Sequence, residues 1–324
     1  MKYIFLHILL ISFASVQACN QDYDFVVDQQ GGGDFATVQD AIDAVPHFRK
    51  SETRIFIKKG TYKEKLLLAS TKTNITFVGE DLLKTVLTYD DYASKLNSFG
   101  EEMGTSGSSS FFIYGDGFRA ENITFENSSG PVGQAVAVRI DGDQVIFENC
   151  RFLGFQDTLY PHGERSRQYY KDCYIEGTTD FIFGWSTAVF EDCVIFSKKG
   201  GHYITAASTN EDTSHGFVFV NCELKSDAPD QSVYLGRPWR PYAQTVFINC
   251  EMDSHIHSEG WHNWSKPKAE KTSYYAEFQS AGSGADATSR AHWSHQLTDD
   301  EITNYSLKKI FNGWIPNEES GLNF

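Results

Sequence analysis

The chain has 324 residues, with 28 Lys and Arg against 43 Asp and Glu, a formal charge of −15. That acidic balance excludes nucleic acid as the main partner, because phosphate binding needs a basic surface. A hydrophobic content of 40% excludes a disordered chain, and six cysteines are too few for a small disulfide scaffold. The length slightly exceeds what one compact core holds, which leaves two domains or one elongated solenoid.

Residues 1–18 read as an export signal. Lys2 precedes an apolar stretch from Tyr3 to Val16, and Ala18 supplies the small residue of a cleavage site. Val16-Gln17-Ala18-Cys19 also resembles a lipoprotein processing box, so ordinary cleavage and lipid anchoring at Cys19 both stay open. The expected location is outside the cytoplasm: secreted, periplasmic or on the cell surface. No later stretch is long and apolar enough to cross a bilayer, so no integral membrane span is expected.

Next comes a short helix. Val38, Ala41, Ile42 and Val45 follow i, i+3, i+4, i+7 spacing, and Pro46 stops the run. This helix is expected to cover one end of an apolar interior. The Gly- and Ser-rich stretch from Gly104 to Ser110 reads as a loop.

A repeat then organises the middle of the chain: aromatic, any residue, Asn or Asp, Cys. It occurs as Phe147-Glu148-Asn149-Cys150, Tyr170-Lys171-Asp172-Cys173, Phe190-Glu191-Asp192-Cys193, Phe219-Val220-Asn221-Cys222 and Phe247-Ile248-Asn249-Cys250. Phe125-Glu126-Asn127-Ser128 reads as an earlier copy with Ser in the Cys position, giving spacings of 22, 23, 20, 29 and 28 residues. Periods of this length indicate stacked supersecondary units. Each copy follows a β-rich run, so the fold class is all-β, a right-handed parallel β-helix. Five cysteines in one phase form a column of small buried side chains with parallel Cβ vectors, which favours free thiols over disulfides. Near the C-terminus, Thr298-Asp299-Asp300-Glu301 is a capping-box pattern that predicts a further helix. Nothing resembles an interdomain linker, so residues 24–316 read as a single catalytic domain.

The ladder also places polar residues. Asp157 lies 7 after Cys150 and Asp180 lies 7 after Cys173; Gln134 lies 6 after Ser128 and Gln156 lies 6 after Cys150. Two carboxylates and two amides are therefore expected on one exterior patch. Carboxylates one rung apart cannot both ionise cheaply, so one becomes a neutral acid beside an anion, while amides offer donors to an oxyanion. Asn, Asp and Gln also stack on solenoid turns for structural reasons alone. The in-phase Gln pair tips the balance towards carbonyl chemistry without naming a substrate.

Five blocks carry a family resemblance. They are Gly60-Thr61-Tyr62-Lys63-Glu64, Gln134-Ala135-Val136-Ala137-Val138-Arg139, Gln156-Asp157-Thr158-Leu159-Tyr160, Asp180-Phe181-Ile182-Phe183-Gly184 and Leu235-Gly236-Arg237-Pro238-Trp239. In these blocks and their order the chain resembles the pectin methylesterases (pectinesterases), carbohydrate esterase family 8. The resemblance implies hydrolysis of the C6 methyl esters of homogalacturonan, with Asp180 as nucleophile and Asp157 as general acid and then base. Gln134 and Gln156 hold the oxyanion, and Arg237 orients Asp180. Trp239 faces a sugar ring, and Tyr160 and Phe183 line the cleft, although ordinary packing also explains the last two. No metal and no cofactor follow from this chemistry. His255-Ile256-His257 with His262 has no matching carboxylates and is rejected as a metal site. The partner expected is methylated pectin, met by a monomer.

Competing readings are a depolymerase on the same solenoid, whose paired carboxylates cleave glycosidic bonds, and a non-catalytic carbohydrate-binding β-helix. No Gly-x-Ser-x-Gly elbow supports a serine esterase. The net charge of −15 predicts repulsion of the demethylated polyanion and a preference for highly methylated substrate.

Overall fold

The computed structural model describes residues 23–316. The export signal and Cys19 lie outside the described residues. Within them the chain winds as a parallel β-helix whose three faces are sheets of eleven, seven and eight strands. One coil shows the plan. Val145–Glu148 belongs to the eleven-stranded sheet, Arg151–Leu153 to the eight-stranded one and Leu159–Pro161 to the seven-stranded one. The next coil pairs with each of them in parallel register: Phe147 with Tyr170, Arg151 with Tyr174, Leu159 with Ile182.

The repeat encodes one corner of this coil. Its aromatic residue points inward, and successive rings stack: Phe147 on Tyr170 at 5.1 Å, Tyr170 on Phe190 at 4.6 Å, Phe190 on Phe219 at 4.5 Å and Phe219 on Phe247 at 4.4 Å. These centroid separations follow the spacing of parallel strands, about 4.8 Å. The Asn or Asp that follows turns the chain. Asn149, Asp172, Asp192, Asn221 and Asn249 have φ of 49, 53, 53, 53 and 52°, a left-handed conformation that short polar side chains tolerate best after glycine. The turn sends the next residue, cysteine, back inside. All five described cysteines are buried and free, and burial pushes the thiols of Cys150, Cys193 and Cys250 up. Each thiol donates to nearby backbone carbonyls, as from Cys193 Sγ to Glu191 O at 3.3 Å.

The earliest copy of the repeat is out of phase. Phe125 pairs with Phe152, not with Phe147. The residues opposite Phe147 and Glu148 are Ala120 and Glu121, and the corner falls at Asn122, φ 60°, with Ile123 taking the inward place of cysteine.

The N-terminal helix forms at Val38–Ala44, with Thr37 as N-cap and Val38, Ala41 and Ile42 in the core. Charged side chains from the coils hold both ends. Glu64 accepts the Val38 and Gln39 N–H groups at 3.0 Å each. Lys72 is buried and donates to Asp43 O at 2.8 Å and to Val45 O. Both placements complement the helix macrodipole. The Gly60–Glu64 block thus secures the cap rather than the site.

The C-terminal capping box forms as expected, opening the helix Asp299–Ile302, and Leu307–Ile310 follows. These helices lie against the outside of the eleven-stranded sheet, where Ile302, Leu307 and Phe311 cluster with Val189, Val218 and Ile248. That cover explains strands apolar on both faces, such as Phe217–Val220. At the far end of the coils Arg290 and Glu277, both 3% exposed, form a bidentate pair.

Candidate active site

The site lies on the outer face of the seven-stranded sheet. Asp157 precedes the strand Leu159–Pro161, and Asp180 lies in the strand Thr179–Gly184, one rung along. Both residues have left-handed backbones, φ 66° and 51°. Thr179 pairs with Tyr203 and Ile182 with Thr205, so the Asp180 strand carries one extra residue there. A bulge of this kind re-aims a side chain. With Phe181 and Ile182 both committed to the core, the bulge is what leaves Asp180 facing the cleft.

Gln134 and Gln156 form a parallel bridge on the preceding rungs, and both line the same cleft as the two aspartates. Gln134 is exposed and Gln156 half-buried. Their shared phase arises differently from the count in the sequence. Gln134 lies 11 residues after Ile123, its true column position, whereas Gln156 lies 6 after Cys150. Five extra residues in the loop ahead of Gln134 compensate for the misplaced copy of the repeat.

Arg237 follows the strand Tyr234–Gly236 and clamps Asp180 with two bonds, Nε to Oδ1 at 2.9 Å and Nη2 to Oδ2 at 2.7 Å. The guanidinium is itself sandwiched, its carbon 3.8 Å from the centre of the Tyr203 ring and 3.7 Å from that of Trp264. The two faces fix its plane, and the fork matches a carboxylate. Burial raises the Asp180 carboxyl, while Arg237 and, more weakly, Lys266 pull it down. Asp157 has no such clamp. Burial first, and the neighbouring Asp180 second, drive it well above the usual carboxylate range, with Arg237 opposing. One carboxyl is therefore poised to hold a proton beside one held as an anion.

Tyr160 and Phe183 are buried, stacked at 4.0 Å, and Trp239 tilts over them at 6.3 and 5.9 Å. They form an apolar cluster outside the sheet with Val136 and Ala206. All three line the cleft, whose volume is about 550 Å³.

Sequence reasoning missed three parts of this wall. The stretch read as a loop from Gly104 is a one-turn helix at Gly104–Gly107. It lines the cleft with Met103, and Ser106 hydrogen-bonds the Tyr160 hydroxyl. Trp264 and Tyr203 support Arg237 from positions that no repeat marks. Of the histidines, His255 is buried, His257 and His262 both flank the Tyr234 ring at 4.3 and 5.3 Å, and His262 Nδ1 lies 3.4 Å from the Tyr203 hydroxyl.

The pectinesterase family model matches residues 24–313. The chain belongs to the pectinesterase family. Pectinesterase 31 of Arabidopsis thaliana is 42% identical over 284 residues, covering 86% of this chain and 89% of that one. The pectin methylesterase from carrot superposes with a TM-score of 0.83 at 32% identity, over 92% of this chain and 95% of that one. A pectin methylesterase in complex with a hexasaccharide superposes with a TM-score of 0.81 at 31% identity, over 91% and 99% of the two chains. Membership makes the protein a carboxylic ester hydrolase, and the solenoid has the right-handed wind of these relatives. Among the described residues no helix is long and apolar enough to cross a membrane.

Proposed function

We propose that the cleft hydrolyses the C6 methyl esters of homogalacturonan through an acyl-enzyme on Asp180. The observation that carries this reading is the unequal pair: Asp180 clamped by Arg237 at 2.9 and 2.7 Å, and Asp157 one rung away with no cation of its own. An Asp180 oxygen attacks the ester carbonyl carbon. The amides of Gln134 and Gln156 donate to the oxyanion that develops. As it collapses, the C–O bond to the methoxy group breaks and protonated Asp157 gives its proton to departing methanol. The product is a mixed anhydride between Asp180 and the uronyl group. Asp157, now anionic, takes a proton from water, and the resulting hydroxide attacks the uronyl carbon. Asp180 leaves as carboxylate, still held by Arg237, and Asp157 is again protonated.

Trp239 offers a half-buried flat face beside the reacting carbons, suited to a sugar ring. Tyr160 and Phe183 form the floor beneath it. Residues 24–316 act as one unit, and a monomer suffices for the mechanism, since every group it uses belongs to this unit. The enzyme works outside the cytoplasm, secreted, periplasmic or held at the cell surface through Cys19, where pectin is found. Methanol release from pectin of unchanged chain length tests the reading. Falling chain length without methanol supports a depolymerase instead.

A further inference from the structure

The charge at the cleft runs against the charge of the whole chain. Lys266 lies close enough to feel both Arg237 and Arg240, and Asp180 is the carboxylate that pairs with Arg237 and acts on Lys266. Arg237 is spent on Asp180, and Lys266 Nζ donates to the carbonyls of Pro238 and Trp239 at 3.1 and 2.8 Å. Arg240 is different. It is exposed, and among the described residues its guanidinium has no ion pair and no hydrogen-bond partner. Two indoles hold it instead, with its carbon 5.8 Å from the ring of Trp185 and 5.5 Å from that of Trp239. Indole faces steady a guanidinium without consuming its N–H donors. Beside it, Trp185 has a buried indole N–H that also lacks a partner.

Arg240 helps to line a second hollow of about 270 Å³ with Thr209, Asn210 and Glu211. Glu211, the acid in that hollow, is engaged by the Tyr242 hydroxyl. Trp239 joins the two places, since it lines the ester cleft on one side and carries Arg240 on the other.

We propose that Arg240 binds the free carboxylate of an unesterified uronate in the same polymer whose ester lies over Asp157 and Asp180. The inference rests on the function proposed above and adds a subsite to it. A carboxylate accepts two parallel bonds from a guanidinium fork, whereas a methyl ester has lost the charge that makes those bonds strong. The contact acts at hydrogen-bond range. The net charge of −15 acts at longer range and is screened by salt. Partly de-esterified chains therefore gain at Arg240 what the net charge alone denies them.

The test compares methanol release by wild type, Arg240→Gln and Arg240→Lys on two sets of oligogalacturonides of equal length, fully methylated and half-methylated. The quantity read is the ratio of kcat/KM on half-methylated to kcat/KM on fully methylated substrate, which does not depend on the fraction of active enzyme. We expect the ratio to fall about fivefold in Arg240→Gln, the size of one exposed charge pair. KM carries the change, and Arg240→Lys retains part of the ratio. Methanol from both substrates with an unchanged ratio in Arg240→Gln overturns the subsite alone. No methanol from the wild type on either substrate overturns the reading of the cleft and the subsite with it.

Discussion

Asp157 and Asp180 stand on adjacent rungs in the same left-handed conformation, yet only Asp180 is gripped by a guanidinium. The difference between the two carboxyls comes from Arg237, which reaches back from a coil two rungs further along the same sheet. Lysine in its place keeps the charge but loses both the fork and the stacking between Tyr203 and Trp264. Arg237→Lys is expected to lower kcat by about ten- to a hundredfold with a smaller change in KM. Steady-state methanol release measures both constants. A change confined to KM contradicts a role in aiming Asp180.

The pH dependence follows from the same inequality. The productive form has Asp180 ionised and Asp157 protonated. Burial raises both carboxyls, and Arg237 restrains Asp180 more than Asp157. Activity should rise as the pH passes the lower apparent pKa of the pair and fall as it passes the higher one. Arg237→Gln removes the restraint, so the acid limb of the kcat/KM profile should move to higher pH and the active window should narrow. An acid limb that stays in place or moves down contradicts the assignment.

Much of this was legible in the chain, for a reason specific to solenoids. A corner that must adopt positive φ selects Asn or Asp, and the next inward position selects a small residue, so the sequence repeats with the geometry. That periodicity placed Asp157 and Asp180 correctly from the cysteines alone. It placed Gln134 correctly for the wrong reason, because Phe125-Glu126-Asn127-Ser128 imitates the corner one strand late while the true corner at Asn122 has Ala120 in place of the aromatic residue. Trp264 and Tyr203 carried no such signal. Trp264 lies in an irregular loop, and Tyr203 contacts Arg237 with an outward side chain that stacks on Tyr234 at 5.5 Å, outside the inward column that the repeat marks. The short helix at Gly104–Gly107 was hidden because none of its four residues is a strong helix former.

Acid should loosen the C-terminal coils through His255. Its ring is buried with neither nitrogen hydrogen-bonded among the described residues, and burial lowers it from 6.5 to about 4, with Asp253 and Asp230 opposing. The unfolded chain then binds the extra proton between these values. Stability is complete above the unfolded value and is lost as the pH falls from 6.5 towards 4. The loss attributable to this residue is about 3 kcal/mol. Urea unfolding at neutral and acid pH should show His255→Phe losing less stability than wild type; equal losses contradict the assignment.

Lys72 tests the cap. Its ammonium closes the C-terminal end of Val38–Ala44 by donating to Asp43 O and Val45 O. Lys72→Met keeps the apolar stem and removes the charged donors, leaving buried carbonyls unanswered. The expected cost is about 1–3 kcal/mol. Urea unfolding measures it. Stability equal to wild type contradicts the capping role.

The most direct measurement is methanol release from pectin by wild type, Asp157→Ala and Asp180→Ala, with polymer length followed in parallel and folding checked by circular dichroism. The expected result is methanol at constant polymer length for wild type and a fall of about a thousandfold or more in kcat for each folded variant. A folded Asp180→Ala that still releases methanol within tenfold of the wild-type rate contradicts the nucleophile and the mechanism built on it.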